Sequence, residues 1–69
     1  MNTETIGNLA GNVWVALNEA DALGVKQLKK IAKAKTEKDL YAALGWLARE
    51  GKLVFSESED GKELIVSLA

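Results

Sequence analysis

The chain has 69 residues, nine of them basic and ten acidic, for a formal net charge of -1; 48% are hydrophobic. It contains no Cys and no His, which excludes disulfides, the usual zinc ligands, a histidine general base and a cysteine nucleophile. The near-neutral balance also argues against a dedicated nucleic-acid binder, which is usually basic overall.

A chain this short forms one domain, expected over residues 1–69, and buries only about 60% of its unfolded surface. Self-association is then a natural way to extend a marginal core. No apolar run approaches the roughly 18 residues of a membrane span, and Met1-Asn2-Thr3-Glu4-Thr5 lacks the basic start of a signal peptide. The expectation is a soluble cytoplasmic protein without metal or cofactor.

Periodicity predicts helices over about residues 4–20, 25–33 and 37–50, followed by a hairpin over about 52–68. In the first helix Ile6, Leu9, Ala10, Val13 and Leu17 share a face, and Thr3 or Asn2 can cap its start. Gly7 and Gly11 each weaken this helix by up to about 1 kcal/mol relative to Ala, so a packing reason is expected. The second helix turns Val25, Leu28, Ile31 and Ala32 inward and Lys26, Lys29, Lys30 and Lys33 outward.

Thr36-Glu37-Lys38-Asp39 resembles a capping box, with Asp39 in place of the usual Glu or Gln. Leu40, Ala43, Leu44 and Leu47 form the core face of the third helix, and Gly51 stops it. In the hairpin, Asp60-Gly61 predicts a two-residue type I′ turn that pairs Glu59 with Lys62. Leu53 then faces Leu68 and Phe55 faces Val66, all four toward the core. Val54 and Ile65 lie on the other side, partly exposed.

Three helices and a C-terminal hairpin form an α+β, mainly α, arrangement that resembles a winged helix-turn-helix domain over nearly the whole chain. The most specific stretch is the helix-to-wing passage from Leu44 to Leu53. Gly11-Asn12-Val13-Trp14, with Ala43-Leu44-Gly45-Trp46-Leu47, is similar to small stand-alone bacterial winged-helix proteins of unknown function. The broader resemblance implies DNA contact through the third helix and wing.

The residues give that implication limited support. The outer face of the third helix carries Lys38, Tyr41, Ala42, Gly45, Trp46 and Arg49. Of these only Lys38 and Arg49 are cationic, and Ala42 and Gly45 offer no side-chain hydrogen bond. Glu57, Glu59, Asp60 and Glu63 make the wing tip acidic. A DNA-binding regulator would have to rely on Lys26, Lys29, Lys30, Lys33, Lys38 and Arg49. Lysines on the outside of a short amphipathic helix are also what solvation requires.

Trp46 beside Ala42, Gly45 and Tyr41 instead suggests a protein interface, since aromatics are enriched and charges depleted there. Gly7, Gly11 and Trp14 stack along one side of the first helix and form a second candidate patch. The alternative is that both tryptophans complete the core. A homodimer or another protein is the expected partner, with DNA the alternative. No catalytic constellation can be assembled: the chain is not expected to be an enzyme.

Overall fold

The computed structural model describes residues 1–69. The elements in order are α1 (Thr3–Glu19), β1 (Leu23–Gly24), α2 (Val25–Ile31), α3 (Glu37–Arg49), β2 (Leu53–Glu57) and β3 (Leu64–Leu68). The start of α1 and both ends of α3 are set by local chemistry. Asn2 caps α1: its Oδ1 accepts from the Thr5 N–H at 2.9 Å, and its own N–H donates to Thr5 Oγ1 at 3.0 Å. Thr36 caps α3 by accepting from the Asp39 N–H at 3.2 Å. The cap hydrogen bond recorded for α3 is this one from Thr36, so the box-like pattern of the sequence is realised in its first half.

Gly51, with φ +74°, ends α3 in the left-handed region. Its N–H donates to the Ala48 carbonyl at 2.9 Å, and the Lys52 N–H donates to Leu47 at 3.0 Å. This is the Schellman arrangement that glycine favours. The end of α2 repeats it with Lys33 in the left-handed position, at φ +63°. There the Lys33 N–H donates to Lys30 and the Ala34 N–H to Lys29. The second helix therefore ends at Ile31 instead of Lys33, and the turn into α3 is built on a strained residue. Asn12 of α1 supports that turn by donating from Nδ2 to the Ala32 carbonyl at 3.3 Å.

The core is one cluster. Ala10, Val13, Ala16 and Leu17 of α1 meet Leu28, Ala32, Leu40, Ala43, Leu44, Leu47 and the sheet residue Val66. Fully burying one such leucine or valine contributes roughly 1.5–3 kcal/mol, and α3 supplies three of them, Leu40, Leu44 and Leu47. Ile31 does not join it and is largely exposed. Leu28 in the seven-residue helix and Ala32 at its C-cap lie one turn apart and make the buried stripe. Ile31 falls on the other side of Leu28.

The sheet holds a strand absent from the sequence expectation. Its order is β1-β3-β2, because Leu23 pairs with Val66 and Gly24 with Ile65. Two residues between helices give no periodic signal. The hairpin register is as expected, with Leu53 opposite Leu68, Phe55 opposite Val66 and Ser56 opposite Ile65. The turn is not of type I′, which needs positive φ at both Asp60 and Gly61. Only Gly61 has it. Ser58 pairs with Glu63, and the Gly61 N–H donates to the Ser58 carbonyl at 2.8 Å. The longer loop adds one residue to each side, so the register is preserved.

Phe55 is also not a core residue. It shares a face with Val66 but is 43% exposed, whereas Val66 is fully buried. β3 is the central strand, flanked on both sides. β2 is an edge, and only its first residue, Leu53, packs against the core. Phe55 stands beyond the helices' cover.

Candidate functional site

α1 and α3 lie against each other and leave a shallow groove of about 400 Å³ between them. Gly7, Gly11 and Trp14 line it from α1 and Trp46 from α3, together with Lys52, the residue before β2. The tryptophans are neither core nor fully free: Trp14 is 40% exposed and Trp46 38%. The Trp46 ring rests on Gly7. A Cβ built there would lie 3.7 Å from its Cζ2 and Cη2, an ordinary contact. Gly11 and Gly45 have no neighbour within 4 Å of the equivalent position. Of the seven interface candidates, the groove unites Gly7, Gly11, Trp14 and Trp46. Ala42 and Gly45 lie outside it on α3.

Tyr41 belongs to a different place. With Val25, Leu40 and Glu37 it lines a groove of about 390 Å³ between α2 and α3, alongside Lys26, Lys29 and Lys30. Lys33 and Lys35 line a third groove, near the start of α1. The cationic candidates are thus divided between surfaces, and Lys38 and Arg49 line neither groove. No group of three or more His, Cys, Asp or Glu is placed to hold a metal ion.

Two of the acidic wing residues have structural work. Glu63 reaches back to α2, where its Oε2 accepts from the Lys26 N–H at 3.3 Å. The N-cap residue there, Gly24, has no side chain to accept that bond, so Glu63 supplies the anion that a helix start favours. Asp60 organises the wing tip. Its Oδ1 accepts from Ser58 Oγ at 2.6 Å and from the Lys62 N–H at 3.0 Å. The Ser58 hydroxyl, then the Lys62 amide, hold its carboxyl below its ordinary value.

A family model described as "Winged helix-turn-helix domain (DUF2582)" matches residues 1–68. The chain belongs to this family. It is also similar to the solution NMR structure of protein BT2368 from Bacteroides thetaiotaomicron. The identity is 35%, the TM-score 0.80, and the match covers 99% of this chain and 79% of that one. No curated protein matches it. No helix is long and apolar enough to cross a membrane.

In a DNA-bound winged helix the third helix lies in the major groove. Here that helix presents Lys38, Tyr41, Gly45, Trp46 and Arg49, all exposed, with Ala42 half-buried among them. Sequence reasoning found most of the groove because a tryptophan beside small residues is visible in one dimension. It missed the separation of Tyr41 from Trp46, which depends on how α2 and α1 flank α3. It also missed Glu63 as a cap, since that bond joins residues 37 positions apart.

Proposed function

We propose that this winged helix is a non-enzymatic module acting through protein contact, with a homodimer as its simplest assembly. Gly7, Gly11, Trp14 and Trp46 form the centre of the contact surface, extended along α3 by Ala42 and Gly45, while Tyr41 stands apart in the groove between α2 and α3. The observation that carries this reading is the pair Gly11 and Gly45. Each sits inside a helix, each costs about 1 kcal/mol relative to Ala, and a Cβ added at either would face open space, with nothing beyond its own stretch of helix within 4 Å. A partner approaching closely beside a half-exposed tryptophan supplies the missing reason.

Sedimentation at micromolar concentration tests it. Self-association is expected, and Trp46→Ala should weaken it by about tenfold or more, as loss of an interface tryptophan does. A clean monomer, unchanged by that substitution, sinks the homodimer.

A second reading is a small DNA-binding regulator using Lys26, Lys29, Lys30, Lys33, Lys38 and Arg49. Lys26, Lys29 and Lys30 beside exposed Tyr41 in one groove favour it. Titration of mixed duplexes at two salt concentrations is its test: phosphate contact must weaken steeply as salt rises.

A further inference from the structure

The outer edge of β2 carries backbone groups that no strand of the chain satisfies. β2 is the last strand in the order β1-β3-β2, with a neighbour on one side only. In an antiparallel pair, successive residues alternate between facing the partner strand and facing away. The Ser58 N–H donates to the Glu63 carbonyl and the Ala69 N–H to the Lys52 carbonyl, each at 2.9 Å. Lys52, Val54, Ser56 and Ser58 therefore turn their backbone groups toward β3. Leu53, Phe55 and Glu57 turn theirs outward.

This edge is short and carries one charge, Glu57, but it has no proline, lysine or bulge to block pairing. Its pairing with β3 is continuous from Leu53 to Glu57, and the segment Leu53-Val54-Phe55-Ser56-Glu57 contains neither proline nor lysine. Val54 on one face and Phe55 on the other are both exposed.

We propose that this edge pairs antiparallel with the same edge of a second copy, with the two-fold axis at Phe55. The inference rests on the self-association in the reading above and locates its axis. Leu53 then lies opposite Glu57 of the second copy, and Phe55 opposite its counterpart, so every outward group of both strands is used. A shift by one register step leaves one outward residue of each strand without a strand partner. At Lys52, charge favours this arrangement over a parallel one. Lys52 falls opposite Ser58 of the second copy, between its Glu57 and Glu59. A parallel pairing would set Lys52 beside Lys52 and Glu57 beside Glu57.

The tryptophan groove is continuous with this edge, because Lys52 lines it and leads into β2. In the proposed register the second copy's acidic wing tip passes Lys52, which attracts it, and comes toward Glu50, which opposes it; both residues line the groove. A pair of five-residue strands alone falls short of the roughly 1,000 Å² that a specific interface buries. Trp14, Val15 and Trp46 supply the adjoining apolar area.

Amide exchange of the full chain at high and low concentration, with sedimentation, tests the pairing. Leu53, Phe55 and Glu57 should exchange slowly only where the dimer forms, while Val54 and Ser56 stay protected throughout. Phe55→Pro removes an outward donor and leaves the β3 ladder intact; it should weaken association by at least about tenfold. Phe55→Lys, which sets two like charges at the axis, should act in the same direction and serves if the proline variant does not fold. A dimer whose Leu53, Phe55 and Glu57 amides exchange freely overturns the edge pairing and leaves self-association standing. A chain that is monomeric at every concentration overturns both.

Discussion

The ring of Trp46 covers Gly7, with Cζ2 and Cη2 at 3.7 Å from the position a Cβ would take. That spacing accepts a methyl group. The packing reason expected for a helical glycine is therefore weak at Gly7 and missing at Gly11 and Gly45. Within the isolated chain, Gly7→Ala, Gly11→Ala and Gly45→Ala should each raise stability by about 0.5–1 kcal/mol, from helix propensity alone. Urea unfolding of the dilute protein measures this. If the surface docks a partner, Gly11→Ala should at the same time weaken association in sedimentation. Stabilisation with unchanged association at all three positions would count against the contact surface.

Gly24 and Glu63 form a second such pair. A methyl on Gly24 would overlap the Glu63 carboxylate, which must come close to reach the Lys26 N–H. Either change removes the same cap. Gly24→Ala and Glu63→Gln should each cost about 1 kcal/mol, and the double variant should cost clearly less than their sum. A double-mutant cycle by denaturant unfolding reads the coupling directly. Full additivity would mean that Glu63 contributes nothing through α2.

Lys33 holds the left-handed position that Gly51 holds at the end of the next helix. A side chain there costs roughly 1–2 kcal/mol, since Cβ crowds the following carbonyl oxygen. The two Schellman bonds and the Asn12 side chain on Ala32 keep the turn in place despite that cost. Lys33→Gly should therefore stabilise the protein by about 1 kcal/mol, seen as a higher denaturant midpoint with an unchanged slope. A destabilised variant would show that unfolded-state entropy outweighs the strain.

The sequence made helix faces and hairpin register legible because both follow from periodicity and pairing parity. Leu40, Ala43, Leu44 and Leu47 are buried as their spacing requires. Phe55 was misread for a reason parity cannot supply. Alternation tells which face of a strand a residue occupies but not how far the helices extend over that face. β1 is invisible for a related reason: Leu23–Gly24 is a strand only because β3 offers it an edge. The tryptophan groove was half legible. Composition marked Trp14 and Trp46 as unusual, but only packing sets them in one groove and sends Tyr41 to the lysines of α2.

Asp60 gives the fold a defined response to acid. The Ser58 hydroxyl and the Lys62 amide favour its charged form, so its folded pKa lies below the ordinary 3.8. The unfolded chain then binds the proton more readily than the folded one. The stabilising contribution is complete above 3.8 and is lost as pH falls through the lower folded value. Asp60→Asn keeps an acceptor oxygen but carries no charge. The variant should be less stable than the parent near neutral pH, and the difference should close on acidification through that window. Side-chain carboxyl NMR should place the Asp60 midpoint below 3.8. A midpoint at or above that value would show that the wing-tip hydrogen bonds do not persist in solution.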